Sequence, residues 1–328
     1  MFFNMVKHPA KLLKKPRLFF DFYIKQPARF LRFKLSGTKK QTGKINGRKI
    51  YSMEEANRQI FEGLMSDKPF AVTRNGCTES NRVFESMLID IGAAEKFDEK
   101  KMKEAKDLSG IFPPNQQTFR ELTNIYKDAM GEADITVYWG HILCEPYTLR
   151  KYSPAAKLMP SRALEPFGFE KPWTRALKNK KVLVVHPFEK TIKSQYEKRE
   201  KLFDNLDILP EFELVTLKAV QSLADEECGF ASWTDALQFM KKEIEKLDFD
   251  IAVLGCGAYA VPLAAHIKRL GKKAIILGGV TQLLFGIKGS RWEQSRPDVI
   301  AMYNDYWVRA DDSEKPDGSE RTEQGAYW

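Results

Sequence analysis

The chain has 328 residues, enough for one large α/β unit or two lobes, and its 43% hydrophobic and 30% charged residues are those of an ordinary globular protein. Its net charge of +9 is uneven: residues 1–50 hold 14 Lys or Arg against the single acid Asp21, so that segment is +13 and the remainder −4. Four cysteines (Cys77, Cys144, Cys228, Cys256) and four histidines without CxxC or CxxH spacing argue against zinc and against a disulfide framework, and no apolar run approaches the roughly 18 residues of a membrane-spanning helix.

Residues 1–40 interleave Phe2, Phe3, Leu12, Leu13, Phe19, Phe20, Phe22, Phe30, Leu31 and Phe33 with Lys and Arg. That composition suits a segment lying in the headgroup layer of an anionic membrane. Pro9, Pro16 and Pro27 divide it into short pieces. A solvated or partner-binding basic tail is the alternative; nucleic acid is not expected, because the body carries no basic stripe or binding motif. The opening MFFNMVKHPAKLLKK lacks the continuous apolar stretch of a signal peptide, so a cytoplasmic chain, peripheral on the inner face of the cell membrane, is expected.

Beyond the tail, Ser52-x-x-Glu55 is a capping box for a helix to about residue 66. A strand is predicted over 70–73 and a helix over 80–91, closed by Gly92. Residues 100–106 read as a solvated charged stretch, 119–130 as a helix and 134–139 as a β-branched strand. The proline-rich stretch 145–172 reads as a connector ending an N-terminal half, 51–172.

In the second half, 173–309, strands are predicted over 181–186, 212–217, 250–254 and 273–277. Helices are predicted over 191–203, from Ser232-x-x-Asp235 to about 247, and over 258–270. Short apolar strands alternating with three-turn helices imply a Rossmann-like, doubly wound, mainly parallel sheet covered on both faces. Residues 310–324 are polar and acidic, and the terminal AYW is apolar enough to dock.

Two corners carry the chemistry. In LGCGAYAVP, Gly255-x-Gly257-x-x-Ala260 follows a strand and opens a helix, a pattern that brings backbone N–H groups to a phosphate. The next strand ends in Gly278-Gly279-Val280 with no acid to hold a ribose, so phosphate or sugar fits better than NAD, and an NAD(P)-dependent oxidoreductase is the weaker enzyme reading. In FAVTRNGCTESNRVF, Arg74 ends a buried strand, which is costly unless it meets an anion, and Gly76, Thr78 and Glu79 follow at a helix start.

Arg74-Asn75-Gly76-Cys77-Thr78-Glu79 resembles the RxGDGE motif of glycosyltransferases of the GT-D fold type. The stretches VLVVHPFEKTIKSQYEKRE, FDIAVLGCGAYAVPLAAHIKRLGKKAIILGG, TQLLFGIKG and GAYW are similar to segments of bacterial members, so the resemblance spans roughly residues 52–328. It implies a Rossmann-like donor-binding fold, a nucleotide-sugar donor, and Mn2+ or Mg2+ held through the D-x-E part of the motif. Here Cys77 stands where that family has aspartate, which leaves Glu79 as the one acidic metal candidate, and a neutral thiol is a poor ligand for a hard cation.

Glycosyl transfer needs positive charge for the leaving diphosphate, a base for the acceptor hydroxyl if the reaction inverts, and contacts that orient the sugar. Arg74 is the candidate for the charge, aided by the Gly255, Gly257, Ala258 and Tyr259 corner and by Lys190. Glu79 is the first candidate base and His186, at a strand's carboxyl end, the second. Gly76, Thr78, Gly278, Gly279, Thr281 and Gln282 are donor-contact candidates, and Tyr196 and Trp139 could stack on a base or sugar. His141 and Cys144 are close in sequence, but two ligands do not make a zinc site. The expected activity is sugar transfer from a nucleotide donor to a glycan acceptor, plausibly lipid-linked, in bacterial surface polysaccharide (capsule or O-antigen) biosynthesis. A non-catalytic binding or scaffolding member of a polysaccharide assembly complex is the alternative that Cys77 favours.

Overall fold

The computed structural model describes residues 6–13, 43–222 and 228–315, with isolated positions between 15 and 31. Among the described residues nine strands form one mostly parallel sheet. They are β1 (Gly43–Ile45), β2 (Arg48–Ile50), β3 (Phe70–Thr73), β4 (Ile135–Tyr138), β5 (Lys157–Pro160), β6 (Lys181–His186), β7 (Glu213–Lys218), β8 (Ile251–Leu254) and β9 (Lys273–Ile276). Their order across the sheet is β1-β2-β5-β4-β3-β9-β8-β6-β7. Only the β1/β2 hairpin is antiparallel, and Ala71 pairs in register with Ala274 where the two halves meet.

Ten helices are needed to follow the site: α1 (Pro9–Leu13), α2 (Met53–Met65), α3 (Cys77–Asp90), α4 (Glu99–Ser109), α5 (Gln116–Ala129), α6 (Glu145–Tyr152), α7 (Glu189–Tyr196), α8 (Trp233–Glu245), α9 (Ala260–Arg269) and α10 (Val280–Leu284). The expected caps form: Ser52 Oγ accepts the Glu55 amide, and Ser232 Oγ that of Asp235.

The central strands are buried on both sides, hence their apolar runs. Leu183, Val185, Ala252, Leu254, Ala274 and Ile276 face α5, α8 and α9. Val72, Val182, Val184, Ile251, Val253 and Ile275 face α2, α7 and α10 on the other side. Each Val, Leu or Ile among them removed from water contributes on the order of 1.5–3 kcal/mol before entropy is counted.

Three expectations need correction. Residues 100–106 are not a solvated stretch: they lie in α4, capped by Asp98 on the Lys101 amide and closed by Gly110, with Met102 and Ala105 buried. The stretch 145–172 is not a bare connector, since it supplies α6 and β5, with β5 hydrogen-bonded between β2 and β4. The helix expected over 191–203 stops at Tyr196 and continues only as a single tight turn at Arg199–Lys201.

The described part of the basic segment is seated on the body. Leu12 is fully buried among Phe84, Met87, Leu88, Ile142, Cys144 and Tyr147. The Lys7 and His8 amides both donate to the Ala93 carbonyl. No helix among the described residues is long and apolar enough to cross a membrane.

Candidate functional site

The parallel strands put their carboxyl ends on one edge of the sheet. Where neighbouring strands send their helices to opposite faces, that edge opens into a crevice. Two such places matter here: α3 and α10 diverge after β3 and β9, and α7 and α9 diverge after β6 and β8. One cavity of about 400 Å³ runs over both.

Arg74 occupies the first crevice. Its Nη1 donates to the Leu277 carbonyl at 2.7 Å, and its guanidinium carbon stands 4.7 Å from the centre of the Trp139 ring. Gly278 adopts φ +61°, and a β-carbon there would lie 2.5 Å from Nη1, so both the conformation and the space demand glycine. Trp139 is fixed in turn. Its Nε1 donates to the Asn75 carbonyl at 2.8 Å, and its backbone N–H reaches both Glu145 carboxylate oxygens at 3.0 Å. Burial pushes the Glu145 carboxyl up to about 8, against the opposing pull of the Trp139 and Gly140 amides.

Next to Arg74, α3 begins with no side-chain cap on Gly76. Cys77, Thr78 and Glu79 form its first turn and line the cavity. Glu79 is buried, and that desolvation raises its pKa; its own amide, the Ser109 hydroxyl and the Arg74 charge oppose the rise. The Cys77 thiol is pushed up by desolvation first and by the Glu79 charge second, so it stays protonated at neutral pH.

These residues do not fit a hard divalent cation. The corner offers one carboxylate already engaged by protein donors and one neutral thiol, and among the described residues no three His, Cys, Asp or Glu side chains come together.

His186 occupies the second crevice, with 4% of its surface exposed. Its Nδ1 accepts the Phe188 amide at 3.0 Å, which assigns the proton to Nε2. Burial lowers its pKa to about 3. His186 is therefore a neutral hydrogen-bond donor, and the role of base expected for it does not suit this tautomer. A β-carbon on Gly255 would lie 2.5 Å from His186 Cδ2 and 2.6 Å from Thr281 Oγ1, so glycine keeps this crevice open. The following Gly257–Tyr259 turn is anchored from outside: Tyr126 donates to the Ala258 carbonyl at 2.5 Å, and Tyr259 stacks on Trp233 with ring centres 5.3 Å apart.

The cavity thus gathers Arg74, Gly76, Thr78, Glu79, His186, Gly255, Gly257, Ala258, Tyr259, Gly278, Gly279 and Gln282 from both corners. Three expected donor contacts are not on its wall. Thr281 is fully buried beneath Gly255. Lys190 points to solvent and pairs with Asp311 at 2.8 Å, because Glu314 returns to accept the Lys190 and Thr191 amides at the start of α7. Tyr196 stacks on Phe212 with ring centres 4.5 Å apart and donates to its carbonyl at 2.6 Å.

His141 and Arg291 line the cavity although sequence reasoning does not select them. The sequence raises His141 only as a zinc ligand, and nothing local marks Arg291. Gln282, which is buried, holds the Lys288 carbonyl of the segment before Arg291 at 3.0 Å. The terminal GAYW lies outside the described residues.

No protein-family model matches the chain, and no curated protein does. Two solved structures are similar to it. One is a selenomethionine-substituted domain of unknown function 1792, with 13% identity over 71% of this chain and 79% of that one, at a TM-score of 0.37. The other is described as a new glycosyltransferase of the same domain type from Streptococcus sanguinis, with 13% identity over 81% of this chain and 96% of that one, at a TM-score of 0.42. Superpositions this loose leave the reading of the cavity to its own residues.

Proposed function

We propose that the cavity takes the diphosphate of a nucleotide-sugar donor and that the chain transfers the sugar to a glycan acceptor. The observation that carries this reading is the meeting of a buried-strand arginine and two glycine-lined crevices in one cavity that also contains a buried carboxyl group. An arginine so placed meets phosphate as a planar fork, and helix-start amides add partial positive charge.

In an inverting displacement, the acceptor hydroxyl oxygen bonds to the anomeric carbon as the bond from that carbon to the phosphate oxygen breaks. The bonding pair leaves with the diphosphate, where Arg74 offsets the charge and His186 Nε2–H can donate without changing its own protonation. The hydroxyl proton goes to Glu79, whose basicity burial raises. No step requires a metal ion.

We place the acceptor on a lipid and the chain at the inner face of the membrane, in surface polysaccharide assembly. The supports are the +13 charge of residues 1–50, the exposed Leu13, Ile24 and Leu31, and the seating of Leu12 against Ile142, which also lines the cavity. The rival reading, a binding member without catalysis, is favoured by Glu79 being engaged as a cap on its own helix. A panel of UDP- and GDP-sugars separates the readings. Thermal stabilisation with donor hydrolysis or transfer supports the enzyme, stabilisation alone supports the binding protein, and neither overturns both.

A further inference from the structure

We propose that this corner binds no hard divalent cation and that Arg74 supplies the positive charge a metal would otherwise bring, Cys77 being the residue that removes the metal site. This rests on the nucleotide-sugar reading above and deepens it.

The geometry around α3 engages both carboxyl groups a cation would turn to. The Glu79 side chain folds back over the helix start, where a β-carbon on residue 76 would overlap its Oε2; glycine at 76 is what lets it lie there. In that position it takes up its own amide and the Ser109 hydroxyl. The second buried carboxyl group nearby, Glu145, turns both oxygens to the Trp139 amide and one to Gly140. Both oxygens are thus committed to the loop that holds Trp139 over Arg74. At Cys77 the Asn81 amide stands 3.5 Å from Sγ, and sulfur is a soft donor that Mg2+ and Mn2+ do not favour over water oxygen.

Arg74 meanwhile reaches the same space. Its guanidinium is clamped between the Trp139 ring and the glycine at 278, and Arg291 adds a second cationic side chain to the wall. A dication beside this guanidinium would be repelled, whereas a diphosphate is drawn to it. An aspartate at 77 would add a hard oxygen donor two residues from Glu79 and tip the corner towards metal.

The test titrates the full chain with Mn2+ alone and follows the electron paramagnetic resonance signal of the free aqua ion. In the natural protein the signal should show no loss that Glu79→Gln abolishes; Cys77→Asp should produce one. A second arm measures UDP and GDP binding with and without Mn2+ or a chelator. Affinity should change by less than about twofold in the natural protein, while Mn2+ should tighten binding to Cys77→Asp by about tenfold or more.

Mn2+ uptake by the natural protein that depends on Glu79, or nucleotide binding that a chelator abolishes, would overturn the proposal. No gain in a folded Cys77→Asp would overturn the assignment to Cys77. Should that variant not fold, Cys77→Ser together with the natural protein and Glu79→Gln still decides the Mn2+ question. Failure of both nucleotides to bind under any condition defeats the donor reading, while the Mn2+ titration tests the absence of a metal site independently.

Discussion

The Nη1 of Arg74 lies 2.5 Å from the place a β-carbon on Gly278 would take, so the arginine at the end of β3 and the glycine after β9 define one crevice between them. Residues 204 positions apart thereby make a single feature: a guanidinium held against bare backbone at the edge of a parallel sheet. Gly278→Ala should displace Arg74 and strain a left-handed turn. The expected result is a fall of about tenfold or more in UDP or GDP affinity by calorimetry, with a loss of about 1–3 kcal/mol in stability by urea titration.

His186 is neutral in the fold down to about pH 3, whereas in the unfolded chain it gains a proton near its ordinary 6.5. The unfolded state therefore binds more protons between those values, and this group's contribution to stability falls as pH drops through 6.5 towards 3. His186→Gln should flatten that part of the stability curve by a few kcal/mol at most. Nucleotide affinity of the natural protein should show no His186 inflection between about pH 5 and 8; an inflection lost in His186→Gln would contradict the neutral-donor role.

Glu145 gives the opposite slope. Its carboxyl rises from 4.5 to about 8 because it is buried, so the folded state holds the proton more tightly than the unfolded one. Its contribution is fully present below 4.5 and is lost as pH rises through 8. Glu145→Gln should remove that decline, read as denaturation midpoints across the range. It should also loosen the Trp139 loop, since the amide presents one oxygen where Glu145 presents two to the Trp139 N–H, and lower nucleotide affinity by a few fold.

The basic segment should carry membrane binding. Flotation with vesicles containing anionic lipid should be strong for the full chain, weak with neutral lipid and lost on deletion of residues 1–40. Leu12→Asp should unseat the segment from α3 and speed proteolysis between residues 13 and 42, because a charge cannot stay among Phe84, Leu88 and Tyr147.

The sequence displays the six contiguous strands from β4 to β7 and both crevices, but not β1, β2 or β5, because the same pattern marks each of the six: an apolar run that stops at a charged residue or glycine is a buried strand reaching its carboxyl end. Arg74, His186, Gly255 and Gly278 are legible for that reason. What is not legible depends on contacts distant in sequence. Helix α4 offers only Met102 and Ala105 to the core within a charged stretch, a face too narrow to stand out. Lys190 is taken up by Asp311 and Glu314, which come back to the start of α7 from more than a hundred residues on, and Tyr196, at the end of α7, is taken up by Phe212. Arg291 reaches the cavity from the short helix Ser290–Ser295, whose placement no local pattern encodes.

The most direct measurement is a calorimetric titration of UDP and GDP into the natural protein and into a folded Arg74→Ala variant. The account predicts one site for at least one of the nucleotides, with a loss of about 1.5–3 kcal/mol in the variant, the worth of a charge-assisted phosphate contact. Binding of equal strength in both proteins, or none in the natural protein, would contradict it.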